Sequence, residues 1–416
     1  MLNSKSARSI FSNTIYQTIG KVATLATTIV VTMLVTRKYG AQGYGQLSII
    51  LTFPALFFIV ADFGMNAIVA GEIAKDASKT NRLFNNLLTL RSVFAALLAL
   101  LGILVLQFFP YPRDVKLAAM IILPTVITFS IYTSTNALYQ ANSAYNRSMV
   151  GPVARSAAVL LAVLILMSRN VSAVGLTCAF IFGDLFLGGV SLLLVRKFAG
   201  KVRLAWDKET IKYILLASLP LGLAAITNPI IGKADTLILS ILKTEADVGY
   251  YNLAYKVFEV ALVVPVFFVN AAYPYMVRHY SESKEKLLAT SKKLFVVLLG
   301  MGLAALLLVW VAAPLIVMLL GGNGFEASIL PLRILSLSFP IFYLTNLFLW
   351  YLITIGKRRP IPSIYWCAVI LNISANLIII PRFNFIGAAV VNGLTELFVL
   401  AALAICVKKD KPSHRR

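Results

Sequence analysis

Charged side chains stand inside several of the long apolar stretches of this chain. The basic members are Lys21, Arg91, Arg155, Lys233, Lys256 and Arg333, and the acidic members are Asp62, Asp184, Asp235, Glu259 and Glu396. An ionised side chain at the depth of a bilayer is costly, so it usually faces a bundle interior or a wet cavity, where it often marks a pathway. Some of these charges neutralise one another, and the others are candidates for binding a polar solute or an ion.

Lys21 has the most polar surroundings of the embedded cations. Its neighbours are Gly20, Ala23, Thr24, Thr27 and Thr28. Small and polar side chains of this kind suit the wall of an aqueous cavity, and a cation in a central cavity would attract an anionic substrate. We therefore expect a functional role for Lys21.

Structural roles compete with functional ones at the other charges. Lys256 and Glu259 are three residues apart on one helix, so a purely structural ion pair is as well supported as a role in transport. Lys233 and Asp235 are only two apart, so they cannot face each other on a helix and each needs a separate partner or water.

The apolar stretches are the elements that must position these charges. Hydrophobic residues make up 59% of the chain and charged residues 13%, which is more apolar than soluble domains are. Stretches of about 20 residues can cross the hydrocarbon layer as helices. They predict spans at 11–36, 44–70, 83–109, 115–140, 150–168, 173–195, 213–241, 247–274, 293–320, 329–355, 361–380 and 386–407. The sequence thus predicts an all-α integral membrane protein with about 12 transmembrane helices.

The positions of the basic residues predict the orientation. The chain has 38 Lys and Arg residues and a net charge of +22. By our count, 25 of them lie in the N-terminus, the even-numbered loops and the C-terminal tail, whereas seven lie in the odd-numbered loops. The positive-inside rule therefore places both termini in the cytoplasm. No loop is long enough to form a basic nucleic-acid-binding module, so we expect no nucleic-acid partner.

Two pairs of short motifs indicate an internal duplication. Gly43-Tyr44-Gly45-Gln46-Leu47 recurs as Gly249-Tyr250-Tyr251-Asn252-Leu253, 206 residues later. Asp184-Leu185-Phe186 recurs as Glu396-Leu397-Phe398, 212 residues later. The near-equal offsets predict two six-helix bundles, at 1–200 and 201–416, related by a pseudo-two-fold axis along the membrane normal.

The duplicated carboxylates and two arginines near span ends have structural interpretations. Asp184 and Glu396 occupy equivalent places in the two repeats, which favours interhelical contacts over a role in ion coupling. Arg155 and Arg333 lie near the ends of their spans, so we expect them to extend toward the lipid headgroups.

Other residue types argue against catalysis and bound metal. Cys178, Cys367 and Cys406 have unrelated spacings within apolar spans, and His279 and His414 are the only histidines. These residues indicate neither a disulfide framework nor a metal or catalytic cluster. No Walker-type motif is present, so we expect no direct use of ATP, no cofactor and no enzymatic activity.

Several segments resemble a known family. They are the run Val35-Thr36-Arg37-Lys38-Tyr39-Gly40-Ala41-Gln42-Gly43-Tyr44-Gly45, then Ala61-Asp62-Phe63-Gly64-Met65, Lys233-Ala234-Asp235-Thr236-Leu237 and Val248-Gly249-Tyr250-Tyr251. They are similar to polysaccharide-biosynthesis flippases, the Wzx-type lipid-linked oligosaccharide flippases of the multidrug/oligosaccharidyl-lipid/polysaccharide exporter superfamily.

The resemblance implies a fold and a function. It implies two six-helix bundles around a central cavity, in the inner or plasma membrane, that move an undecaprenyl-diphosphate-linked oligosaccharide to the periplasmic or outer leaflet. Lys21, Arg91, Lys233 and Lys256 would then bind the diphosphate, and Asp62 or Asp235 would carry a coupling proton or ion. Glu259, Asp184 and Glu396 remain candidates for ion coupling or for structure. A polysaccharide polymerase and a chain-length regulator are candidate partners.

Other functions remain open. A multidrug antiporter of the same superfamily would share the topology, although cationic drugs favour carboxylates and helix 1 offers only Lys21. A membrane polymerase would be expected to carry a sizeable external loop, whereas the odd-numbered loops are about ten residues or fewer. A scaffold without transport activity is a further alternative.

Overall fold

A computed structural model describes residues 4–408 of the chain, and the side chains of these residues except 4–16, 59, 145, 224 and 228. The basic residues Lys409, Lys411, Arg415 and Arg416, counted above in the cytoplasmic tail, lie outside the described residues. All regular structure within 4–408 is helical.

Sixteen α-helices and three short 3₁₀ turns make up this part of the chain. The first eight helices are α1 Ser4–Asp62, α2 Met65–Lys75, α3 Thr80–Leu106, α4 Arg113–Ile122, α5 Thr125–Ala141, α6 Tyr145–Ser148, α7 Val150–Ser168 and α8 Thr177–Ala199. The others are α9 Lys208–Ala225, α10 Thr227–Leu242, α11 Glu245–Ala261, α12 Val263–Glu282, α13 Lys284–Gly321, α14 Ile329–Ser336, α15 Phe339–Thr354 and α16 Pro360–Lys408.

Two of the long helices contain a backbone break that separates predicted spans. Gly40 in α1 has φ 64° and Asn384 in α16 has φ 54°. Glycine has no Cβ that would clash in this conformation, and asparagine tolerates it better than most residues. The breaks fall between predicted spans 11–36 and 44–70 and between 361–380 and 386–407.

Nine helical segments of the described chain are long and apolar enough to cross a membrane. Many of their large apolar side chains are exposed, including Val311 at 76% and Leu308 at 65%. Because water would oppose this exposure, these surfaces fit contact with lipid. The fold is therefore that of a multi-pass membrane protein, while the count of twelve spans, the two-fold symmetry and the sides of the termini stay predictions.

Packing divides the chain into two units. The first contains residues up to Tyr39 and Gln46–Pro229, and the second contains Gly40–Gly45 and the residues from Ile230 onward. The division falls beyond the predicted boundary at 200/201 because α9 packs on α2 and α3. Ile211 and Ile214 of α9 join Phe84 and Leu87 in a buried cluster. The proposed division into bundles 1–200 and 201–416 stays a prediction.

Candidate functional site

Arg91 of α3 is the centre of a buried polar network in the first unit. Its side chain is fully buried. Nη1 donates a hydrogen bond to Asn66 Oδ1 at 2.8 Å, and Nη2 donates to the Asp62 backbone oxygen at 2.9 Å and to Asp62 Oδ1 at 3.1 Å. The guanidinium group is therefore committed to α1 and α2, which leaves it poorly placed to bind a substrate.

The Asp62 carbonyl needs a partner because α1 ends there. Phe63 and Gly64 follow with φ 42° and 68°, so the chain leaves the helix before α2 begins. The last carbonyl groups of a helix have no intrahelical donor, and an unpaired one is expensive inside a membrane. Arg91 satisfies the Asp62 carbonyl and neutralises the Asp62 carboxylate at once.

Asp184 of α8 also has a cationic partner. Its carboxylate accepts a hydrogen bond from Arg155 Nε of α7, and the Asp184 side chain is 2% exposed. Arg155 thus pairs between helices, although its place near the end of a predicted span favoured extension toward the headgroups. Pairing with Arg155 also accounts for the buried charge of Asp184.

Asp235 of α10 is fully buried and has a different environment. Tyr251 of α11 donates its hydroxyl at 2.8 Å, Asn376 of α16 donates its amide at 2.6 Å, and Asn392 of α16 donates at 3.2 Å. No described Lys or Arg pairs with this carboxylate. Since a buried charge without a counter-charge is costly, the site favours a carboxylate that gains a proton or a small cation.

The two asparagines that donate to Asp235 come from opposite sides of the break in α16. Asn376 precedes Asn384 and Asn392 follows it. Asn376 also donates to Asn372 Oδ1 at 3.1 Å, and Asn372 donates to Thr395 Oγ1 at 3.2 Å. A change of charge at Asp235 therefore acts on α10, α11 and both halves of α16.

Lys233 of α10 forms a cluster with Lys256 and Glu259 of α11, on the same two helices that carry Asp235 and Tyr251. Glu259 accepts a hydrogen bond from Lys256 Nζ at 2.9 Å and another from Lys233 Nζ at 3.4 Å. The Lys233 ammonium also lies 5.8 Å from the ring centre of Tyr255. The two lysine side chains are 27% and 29% exposed. With all groups ionised, the cluster carries one net positive charge at a place that is partly open.

The structure separates the partners of Lys233 and Asp235, as their spacing predicts. Lys233 pairs with Glu259, whereas Asp235 accepts from Tyr251 and two asparagines. The spacing of Lys256 and Glu259 gives the i, i+3 pair that the sequence allowed.

Glu396 and Lys21 have fewer partners. Glu396 Oε1 is buried without a hydrogen-bond partner among the described residues, and no described cation pairs with this side chain. Lys21 is exposed on α1 and forms no ion pair within the described part of the chain. The hydroxyls of Thr24 and Thr28 donate to backbone oxygens of α1 one turn back, at 2.9 and 2.8 Å. These threonines are therefore satisfied without water.

Among residues 4–408 no group of three or more His, Cys, Asp or Glu side chains converges as metal ligands would.

Residues 10–280 match a family described as polysaccharide biosynthesis protein, and this match covers more than half of the chain. The chain belongs to the polysaccharide biosynthesis protein family. The resemblance stated from the sequence motifs is thereby confirmed. Residues 220–378 also match the MatE family, and the sequence matches no curated protein.

Solved structures share the fold of this polysaccharide biosynthesis family member at low sequence identity. An inward-facing multidrug resistance MATE family transporter of the MOP superfamily is 13% identical, covering 94% of this chain and 96% of that one, with a TM-score of 0.76. The lipid II flippase MurJ, in an inward closed conformation, is 13% identical over 96% and 87%, with a TM-score of 0.77. A MOP superfamily transporter from Pyrococcus furiosus, whose binding pocket is described as having reverse polarity, is 14% identical. The match covers 96% of this chain and 94% of that one, with a TM-score of 0.59. The fold is that of MOP superfamily transporters.

Sequence reasoning missed most of the network around Asp235 in this family member. No role was predicted for Asn372, Asn376 or Asn392, although amide side chains within predicted apolar spans are themselves unusual. Asn372 and Asn376 are four residues apart, so they share one helix face. The carboxylate to which Asn376 and Asn392 donate lies on a helix more than a hundred residues earlier in the chain, and only the fold brings these groups together.

Proposed function

We propose that this protein is a flippase that moves an undecaprenyl-diphosphate-linked oligosaccharide repeat unit, a precursor of O-antigen, capsule or exopolysaccharide, from the cytoplasmic to the outer leaflet. It would lie in the inner or plasma membrane with both termini in the cytoplasm. Membership of the polysaccharide biosynthesis family supports the substrate class. The observation that carries the proposal is the partly open Lys233–Glu259–Lys256 cluster with its net positive charge.

The two lysines of this cluster would bind the diphosphate. Ammonium groups bind phosphate oxygens as compact charges with three donors each. Before substrate arrives, Glu259 keeps both ammonium groups near one another, and the 3.4 Å contact to Lys233 is the longer of the two. A diphosphate competes with Glu259 and engages Lys233 first. Tyr255, against which Lys233 lies, offers an aromatic face to a sugar ring.

Asp235 would carry the coupling ion. Asp62 was an alternative, but its pairing with Arg91 makes neutralisation there unnecessary. At Asp235 a proton or a small monovalent cation removes the charge that the hydroxyl and amide donors now solvate. The same event changes what holds the two halves of α16 to α10, which links ion binding to a conformational change by alternating access.

Complementation of a deletion strain tests the assignment. Wild type, Lys233→Ala, Lys256→Ala and the control Lys243→Ala are expressed to equal levels in a strain that lacks this protein and any second flippase. Lys243 is a partly exposed cation directly after α10 that donates to the Pro381 carbonyl. We expect surface polymer with wild type and the control, and loss of polymer with lipid-linked units trapped on the cytoplasmic face for the two cluster variants. Normal polymer in the deletion strain would contradict the proposal.

A multidrug antiporter is the second candidate. The MatE match over 220–378 includes Asp235, Glu259 and their helices, and an unpaired buried carboxylate suits a cationic substrate. Under this function the deletion strain keeps its polymer and becomes sensitive to lipophilic cations. Asp235→Asn would then abolish drug resistance, and Lys233→Ala would not reduce it.

A further inference from the structure

A basic cavity lies where α8 ends and the chain turns toward α9. It measures about 510 Å³ and is lined by Leu192, Arg196, Gly200, Lys201, Val202 and Arg203. No acidic side chain is among these residues, and no described carboxylate pairs with the three cations. Such a concentration of exposed positive charge attracts an anion with several acceptor oxygens.

The linker that forms one wall of the cavity is fixed to α3 by side chains. Asn81 donates to the Ala199 and Lys201 carbonyls at 2.6 and 3.1 Å, and Asn85 donates to the Lys201 carbonyl at 3.2 Å. Asn85 Oδ1 also accepts from the Arg203 amide at 3.1 Å. These hydrogen bonds fix the backbone of the linker, so Lys201 and Arg203 are held near Arg196.

One of these bonds weakens a feature that would repel an anion. The carboxyl end of a helix carries partial negative charge on its free carbonyl groups. Asn81 satisfies the carbonyl of Ala199, the last residue of α8. Arg196, in the final turn of α8, adds positive charge at the same place.

The linker also presents apolar side chains to its surroundings. Leu204 is 73% exposed and Trp206 is 56% exposed. Tryptophan is enriched where hydrocarbon meets the headgroups, and cations near this level attract anionic lipids. A soluble phosphate would gain nothing from these apolar neighbours, whereas a lipid would place its acyl chains beside them.

We propose that this cavity binds the phosphate of an anionic phospholipid in the leaflet that the charge pattern predicts to be cytoplasmic. Arg196, Lys201 and Arg203 contact the phosphate oxygens, and Leu204 and Trp206 lie against the acyl chains. The site is separate from the proposed substrate cluster, and it holds whether the transported molecule is a lipid-linked oligosaccharide or a drug.

Native mass spectrometry of the full-length protein from nanodiscs tests this site. The discs contain phosphatidylcholine with graded phosphatidylglycerol. The test variant is Arg196→Gln/Lys201→Gln/Arg203→Gln, and the charge-matched control is Lys197→Gln/Lys208→Gln/Lys212→Gln, three cations of the same connection that do not line the cavity. If the test variant does not fold, Arg196→Gln alone replaces it.

We expect phosphatidylglycerol to be retained by wild type and by the control. Each lining cation that is removed should weaken retention about fivefold. Equal retention by the test and control variants would overturn the proposal. Displacement of phosphatidylglycerol by millimolar inorganic phosphate would also overturn it, because the site would then bind a soluble anion. Equal retention of phosphatidylcholine and phosphatidylglycerol would overturn it as well, because the charge of the lipid would then play no part in binding.

Discussion

Arg91 is among the largest side chains that this protein buries completely, and its contacts explain why it is basic. It pairs with Asp62 and supplies the donor that the end of α1 lacks. The sequence showed that Arg91 and Asp62 are both embedded in apolar spans, and it offered Arg91 as a substrate-binding residue. The structure favours a structural role, because the guanidinium donates to Asp62, Asn66 and Ser134 on neighbouring helices. The role in substrate binding stays a prediction.

Arg91→Ala should destabilise the protein by about 3–5 kcal/mol, because the substitution leaves Asp62 with an uncompensated, partly buried charge. Arg91→Lys should rescue little of this loss, since one ammonium cannot reach the positions of both Nη atoms. Thermal unfolding in detergent measures both effects, with Lys21→Ala as the exposed control. An Arg91→Ala protein as stable as wild type but without transport would instead show that Arg91 binds substrate.

The spacing rules succeeded where partners are close along one helix and failed where they are distant. The separation of Lys233 from Asp235 and the pair Lys256–Glu259 follow from helix geometry alone. The donors Asn376 and Asn392 do not, because the path of α16 through its break at Asn384 decides which face each amide presents.

The break between α1 and α2 is the element on which the Arg91 site depends. Gly64 has φ 68°, and a Cβ there would lie 2.9 Å from the Leu221 Cβ. Gly71 is helical within α2, and a Cβ there would meet nothing within 4 Å. A side chain is therefore unfavourable at Gly64 and has room at Gly71, so the two glycines form a matched pair for substitution.

Gly64→Ala should destabilise the protein by about 1–2 kcal/mol or more from the left-handed backbone alone, whereas Gly71→Ala should be neutral or stabilise it by up to about 1 kcal/mol. Thermal unfolding of the two variants measures the difference. Equal melting temperatures would mean that the chain relaxes at the break and that the geometry around Asp62 is not fixed.

The linker after α8 is a second element that sequence patterns did not reveal. The asparagines that hold it lie on α3, at 81, 85 and 86. Asn81 and Asn85 are four residues apart and share a helix face, yet nothing in the sequence states what that face contacts.

Acid should release the end of this linker near α9. The Thr210 hydroxyl and the Arg82 guanidinium, in that order, hold the pKa of Asp207 below its ordinary value. A lowered folded-state pKa stabilises the contact above the ordinary Asp pKa of about 4, and that contribution is lost as the pH falls through the folded-state value. The protection factors of the amides in residues 203–207, which correct hydrogen exchange for the intrinsic rate at each pH, should fall in wild type as the pH drops below about 4. In Asp207→Asn the protection should be low already at neutral pH, and a pH profile of protection identical to wild type in this variant would contradict the assignment.

At the scale of the whole molecule, composition and charge predicted a multi-pass membrane protein, and the motifs predicted its family. Both are confirmed by the fold and by the family match. Orientation, symmetry and the transported molecule are properties that the bilayer and the substrate define, so neither apolar periodicity nor packing within each unit decides them. In the proposed function, Asp235 couples an ion to movement of a lipid-linked oligosaccharide.

Transport in proteoliposomes tests this coupling. The full-length protein is reconstituted with an undecaprenyl-diphosphate-linked oligosaccharide, and membrane-impermeant periodate reports the fraction whose sugars reach the outer surface under an imposed proton or sodium gradient. We predict that wild type moves the lipid faster than protein-free vesicles and faster still with one of the gradients. Asp235→Asn should lose the gradient dependence. No acceleration by wild type, or gradient-driven uptake of an organic cation while the lipid stays in its leaflet, would contradict the account.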